Sequence, residues 1–297
     1  MHARSKGILC ILASAFCFAV MSACVRLAGD LPSIQKSFFR NLVAAFFALC
    51  LLLREIKGGE KIRITREQLP ALLLRSTFGT VGILCNFYAV DHLVLSDASM
   101  LNKMSPFFAI ICSYFILKEK ITPVQGLSVV AAFIGSLFII KPTLSNMDLF
   151  PSLIGLLGGI GAGAAYTMVR VLGKKGTNKT LIVLFFSTFS CLVVLPFLIY
   201  DFHPMNGRQL LFLLGAGLAA AGGQFAVTNA YCFAPAREIS VYDYSQVIFS
   251  ALLGFLLFDQ IPDLLSVVGY LLICGTAVAV FIYNRKRDRD AATVKTQ

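Results

Sequence analysis

The chain of 297 residues is 58% hydrophobic and only 14% charged, with a formal net charge of +11 and a mean hydropathy of +0.80. So little polar surface cannot cover a soluble globule, which excludes soluble enzymes and binding modules and leaves an integral membrane protein. The cations fall between apolar runs on alternate sides, the mark of topology, so the positive charge does not point to nucleic acid.

Ten apolar segments, each near the roughly 20 residues a bilayer demands, are predicted as membrane helices: Gly7 to Leu27, Ser37 to Leu53, Pro70 to Val90, Ser96 to Leu117, Val124 to Ile140, Leu153 to Leu172, Thr180 to Tyr200, Gln209 to Phe233, Ile239 to Phe258 and Leu265 to Tyr283. The runs are continuously apolar, which favours helices over the alternating strands of a barrel. The first is of spanning length and lacks a small-x-small exit, so it is read as a helix and not as a cleaved signal. The expected fold class is an all-α membrane protein.

Basic residues set the orientation. One side collects Arg4 and Lys6, Arg54 to Arg66, Lys118 and Lys120, Lys174 to Lys179, Arg237 and the tail from Arg285; the other holds only Lys36, Lys141 and Arg208 among several acids. Both termini are expected in the cytoplasm of a cell carrying this protein in its plasma membrane.

The chain repeats itself. Ser96 to Ile121 matches Arg237 to Ile261 at an offset of 140, aligning Phe115 with Phe255, Leu117 with Leu257, Glu119 with Asp259, and further on Gly135 with Gly275. Gly79, Asn86 and Tyr88 match Gly222, Asn229 and Tyr231 at an offset of 143, and Val25-Arg26 matches Val169-Arg170 at 144. The same shift brings Ala15, Ala19 and Ala23 onto Gly159, Gly163 and Thr167, with Gly155 continuing the sixth segment's stripe, and small residues at that spacing let helices approach closely in lipid. Five helices per copy is an odd number, so the second copy enters from the opposite face: two inverted five-helix repeats, 1–142 and 151–285, followed by a basic tail, 286–297.

Two five-helix copies, each with a fourth helix ending in an acid (ILKEKIT; LLFDQIP), a glycine in the fifth, FFRN opening the second helix (Phe38 to Asn41), and SDAS followed by SPFF, resemble the EamA family of the drug/metabolite transporter superfamily. The resemblance covers essentially the whole chain. It implies a ten-helix carrier of a small organic solute, with export the expected direction and a central cavity as the site. This sequence departs from the family pattern at Asp259, where glutamate is usual, and its second copy has Gln246 where the first has Pro106.

Polar groups inside the apolar runs are the candidate substrate contacts: Asn86, Asn102, Lys103, Tyr166, Asn229, Tyr242, Asp243 and Gln246, with Ser105 and Pro106 as candidate gating residues. Lys103 and Asp243 are repeat equivalents of opposite charge. Each lies about 10 Å below its own face of a core roughly 30 Å thick, too far apart for a tight ion pair unless both lean inward. Charges against lipid tails are costly, so both are expected to face protein or a wet cavity. Two roles fit: local pairing that only fixes helix packing, or the two ends of a cavity holding a zwitterionic or polar solute. Pro106 cannot donate to the Asn102 carbonyl, so a kink is expected there.

Arg26 and Arg170 are expected to snorkel, and Arg40 and Arg75, one turn or so inside, to anchor at the interface. If Arg40 and Lys103 instead line one cavity, the solute is an organic anion; Lys103 with Asp243 favours an amino-acid-like zwitterion. The nine cysteines show no CxxC pairing and read as packing residues, and the three histidines are scattered. No catalytic centre, metal or cofactor is therefore expected. A membrane-embedded enzyme or a sensor is the rival class. The expected partners are a small solute and the bilayer, with a monomer or homodimer as the assembly.

Overall fold

The computed structural model describes residues 3–59, 64–118, 123–140, 148–233 and 240–295, and every regular element in them is helical. The helices are α1 (Ala3–Leu27), α2 (Ser33–Lys57), α3 (Leu69–His92), α4 (Leu95–Asn102), α5 (Ser105–Leu117), α6 (Pro123–Ile140), α7 (Leu149–Lys174), α8 (Lys179–Tyr200), α9 (Gly207–Phe233), a 3₁₀ turn (Ser240–Tyr244) running into α10 (Ser245–Phe258), and α11 (Leu264–Lys295).

Seven helices (α1, α2, α3, α7, α8, α9 and α11) contain stretches long and apolar enough to cross a bilayer, and two shorter apolar ones are Gly126–Ile140 and Tyr242–Phe258. The segment expected as one continuous helix from Ser96 to Leu117 is instead two, α4 and α5, interrupted at Lys103 and Met104. The helix expected to stop near Tyr283 continues as α11 through the basic stretch to Lys295.

The termini follow local chemistry. Asn178 caps α8 by accepting from the Leu181 amide at 3.0 Å. α10 ends at Asp259, whose φ of 52° is the left-handed conformation that Asp tolerates better than most residues.

In the bundle, α1 packs on α9, α3 on α7, α2 on α8 and α6 on α11, with α5 against α7 and α10 against α1. Small residues permit these crossings. A Cβ on Gly82 would lie 3.1 Å from the Ala162 amide, and one on Gly161 would lie 2.9 Å from the Phe78 carbonyl oxygen, so α3 and α7 meet backbone to backbone. α6 and α11 cross at Gly135 and Gly269, where a Cβ on Gly269 would reach the Gly135 carbonyl oxygen at 2.7 Å. Gly275, the sequence match of Gly135, has nothing within 4 Å of an added Cβ, so its place at this crossing is taken by Gly269, six residues earlier.

The main core gathers side chains of α1, α3, α4, α5, α6, α7, α9, α10 and α11 around Leu95, Met100, Leu101 and Met104. α4 is buried along Leu95 to Leu101, which is why its polar residues must find protein partners.

Candidate functional site

The break between α4 and α5 is built by both chain chemistry and packing. The last full helical bond runs from the Lys103 amide to the Ser99 carbonyl (3.0 Å), the Met104 amide tightens onto Leu101 (3.2 Å), and the amides of Phe107 and Phe108 both turn back to Met104. Pro106 falls in the first turn of α5, where its missing N–H leaves no bond unmade. It therefore starts a helix, and the expected kink is displaced to Lys103 and Met104.

The glycine stripe of α7 lies against this break. A Cβ on Gly159 would sit 2.5 Å from the Leu101 carbonyl oxygen, and one on Gly163 would sit 2.6 Å from that of Ser105, so only hydrogen fits at either place.

Opposite the break, the 3₁₀ turn preceding α10 carries Asp243, and Lys103 Nζ donates to Asp243 Oδ2 at 2.6 Å. The expectation that depth keeps these two charges apart is corrected. Eight residues of α4 bring Lys103 about 12 Å in from one end, and 14 residues of α10 put Asp243 about 21 Å from the same end. The lysine's four-carbon stem spans much of that difference. Both side chains are largely enclosed, 7% and 19% exposed, so each is the other's principal charge partner in a low-dielectric setting.

Beside the pair is an open cavity with about 90 Å³ of space for water centres, bounded by α1, α2, α3, α4, α7, α8, α9 and α10. Of the residues expected to contact solute, Asn86, Asn102, Lys103, Tyr166 and Gln246 line it together. Asp243 reaches it through Lys103. Asn229 is outside it and exposed on α9. Tyr242 is half-buried elsewhere, against a small cluster with Ile11 and Ala230. Ser105 is buried at the start of α5 with its carbonyl facing Gly163.

The residues that sequence reasoning assigned to the interface, Arg40 and Arg75, are in the cavity wall, 2% and 5% exposed. Arg75 stacks on Phe186 with Cζ 3.8 Å from the ring centroid, and Arg40 approaches the same ring at 5.9 Å. Arg40 Nη1 donates to Asn41 Oδ1 at 2.5 Å, and Asn41 in turn donates to Ser190 at 2.9 Å. Arg40 Nε and both Nε and Nη1 of Arg75 are buried with no hydrogen-bond partner.

A signal for this was present in the sequence. Arg40 shares a face with Ser37, Asn41, Ala44 and Ala48, all buried, while Leu42, Phe46, Leu49 and Leu53 are exposed. Arg75 likewise sits among Ser76, Gly79 and Gly82. In a membrane helix the face of small and polar residues is the one turned to protein.

The sequence profile of the EamA-like transporter family matches residues 5–141 and again 150–282. The chain belongs to the EamA-like transporter family. It is 31% identical to the pseudopaline exporter of Pseudomonas aeruginosa, over 93% of this chain and 95% of that one. It is 27% identical to the riboflavin transporter of Vibrio cholerae, over 97% of both chains. Human solute carrier family 35 member G1 is 28% identical over 93% of this chain and 79% of its own. A solved crystal structure with 13% identity superimposes with a TM-score of 0.65, covering 95% of this chain and 98% of that one, which shows the shared fold. The chain is thus a multi-pass membrane protein of a transporter family.

Around the cavity of this EamA-like protein, polar contacts tie the helix ends together. Where α10 ends, left-handed Asp259 turns the chain so that Gln260 Oε1 accepts from the Leu95 amide at 3.0 Å, capping α4. Ser99 and Ser250 share a 2.7 Å hydrogen bond along the same pair of helices. Tyr270 of α11 donates its hydroxyl proton to Asp97 and shares a hydrogen bond with the Ser96 hydroxyl.

Arg26, expected to snorkel, donates to the Leu93 carbonyl at 2.6 Å and packs over Phe258; buried Lys36 pairs with Asp91 at 2.6 Å. On the face bearing the α2–α3 and α7–α8 turns, Glu55 accepts from Asn178 and Thr180, and Lys175 donates to the Glu67 carbonyl. The acid Glu119 and the second-copy residues Arg237 and Ile239 lie outside the described residues.

Proposed function

We propose that this protein is a secondary transporter of the cell membrane that exports a small polar or amphipathic organic metabolite, an amino acid or a related acid, by alternating access. The observation that carries this reading is the cavity itself: charged and amide side chains converge beside the point where the fourth segment breaks and the ninth begins in a 3₁₀ turn. Interrupted helices expose unpaired backbone and side-chain groups at membrane depth only where they line a site or are covered by protein.

Ten crossings in two inverted units, 1–142 and 151–285, account for the double family match. They also account for the packing pattern, since exchanging the units converts the α1–α9 pair into α7–α3, and α5–α7 into α10–α1. With both termini cytoplasmic, the Arg26, Lys36 and Gln260 contacts form the outer closure and the Glu55 and Lys175 contacts belong to the inner side. In this reading Lys103 and Asp243 form a central latch between the two units, broken and remade as the cavity changes the side it faces. The relatives named as an exporter and as transporters support a solute-moving role for the same architecture.

Uptake of radiolabelled amino acids and organic acids into proteoliposomes holding the full-length protein tests this. Saturable accumulation above protein-free vesicles is expected. Binding without movement would assign the chain to a sensor, and conversion of the solute to an enzyme.

A further inference from the structure

We infer that Arg40, Arg75 and Phe186 form an anion subsite, and that the solute is an organic acid of net negative charge whose carboxylate lies between the two guanidinium groups. This rests on the transport reading of the same cavity and narrows its substrate class. The cavity wall carries Arg40, Arg75 and Lys103, and no Asp or Glu is among its lining residues. Among the described residues the acid beside the cavity is Asp243, which is not part of the lining; its Oδ2 is held by Lys103 and its Oδ1 is buried. The wall therefore offers a zwitterion cations for its carboxylate but no carboxylate for its ammonium group, only neutral oxygens such as those of Asn86 and Gln246.

The two arginines are enclosed cations with unmet donors, Nε on Arg40 and both Nε and Nη1 on Arg75. Forked guanidinium donors match the two oxygens of a carboxylate. Phe186 fixes the Arg75 plane by stacking. Gly79 leaves the room for it, because a Cβ there would collide with Arg75 Nη1 and lie 2.8 Å from the Phe186 ring. Phe18, Met21, Ile83 and Phe87 also line the cavity and offer apolar surface for a carbon skeleton, which a small inorganic anion would leave unfilled.

The test uses full-length protein in neutral detergent, with thermal melts and calorimetric titration against succinate, butyrate, inorganic phosphate, 4-aminobutyrate and 1,4-diaminobutane. Succinate is expected to bind most tightly and butyrate next, with no response to the diamine. Arg40→Gln and Arg75→Gln are each expected to weaken succinate about tenfold or more. The ligand series on the unaltered protein stands by itself should either variant fold poorly.

Equal binding of the zwitterion or the diamine, unchanged succinate affinity in both variants, tighter binding of phosphate than of succinate, or no response to any carboxylate would each overturn the subsite. Movement of some other solute by a protein indifferent to carboxylates would overturn the subsite and leave transport standing. Succinate binding with no solute moved in any assay would keep the subsite and overturn transport.

Discussion

Removing one member of the Lys103–Asp243 pair is expected to destabilise the protein, and removing both to restore much of the loss. At the 2.6 Å separation in the structure, the Coulombic attraction is about 6 kcal/mol at an effective dielectric of about 20. Desolvation offsets part of this, and breaking such a pair from one side costs roughly 3–5 kcal/mol because the survivor is left enclosed without a counter-charge. Partial access from the cavity lowers the expected cost for Lys103→Met or Asp243→Asn to about 3 kcal/mol. On the scaling of roughly 2–4 °C per kcal/mol for chains of a few hundred residues, that is a fall in Tm of about 6–12 °C. The double variant Lys103→Met, Asp243→Asn should recover most of it, giving a coupling of about 2–3 kcal/mol in the double-mutant cycle. The assay is thermal unfolding of the purified protein in detergent, with the four proteins compared under one condition. Single variants that melt with the parent, or a double variant whose loss equals the sum of the two, would refute the direct pairing.

Two other expectations follow from the architecture. A reporter fused after Lys175 or at Gln297 should read cytoplasmic and one inserted near Asn146 external; a cytoplasmic reading at Asn146 would remove the inversion of the second unit. Gly163→Val should cost several kcal/mol and depress yield, because its Cβ would sit 2.6 Å from the Ser105 carbonyl oxygen. Gly173→Ala in the same helix meets nothing within 4 Å, so it should be neutral or stabilise by up to about 1 kcal/mol. Equal melting of these two glycine variants would contradict the close approach of α7 to the break.

Much of the fold was legible because lipid leaves few options. Continuous apolar runs gave the helices, and the α7 stripe Gly155, Gly159, Gly163 predicted a close crossing, though not that it presses on the break. Lys103 and Asp243 stood out as charges at membrane depth. Their pairing did not, because depth was counted along two continuous straight helices, whereas the fourth segment is split and the lysine stem spans the rest. Arg40 and Arg75 were misplaced for a related reason: distance from a helix end says nothing about which face a residue occupies. The small and polar neighbours of each arginine carried that information. The repeat misled at Gly275 and gave unequal surroundings to Asn86 and Asn229, since alignment fixes the register of the backbone and not the neighbours each side chain meets.

The most direct test of alternating access joins the two interrupted segments. Ser99 and Ser250 have their hydroxyl oxygens 2.7 Å apart, so cysteines at both positions, in a variant without the native cysteines, are within reach of a disulfide. Counterflow of a transported solute is then measured in proteoliposomes before oxidation, after it, and after reduction. Alternating access predicts exchange that stops when the disulfide forms and returns when it is reduced. Undiminished exchange through a fully cross-linked protein would contradict it.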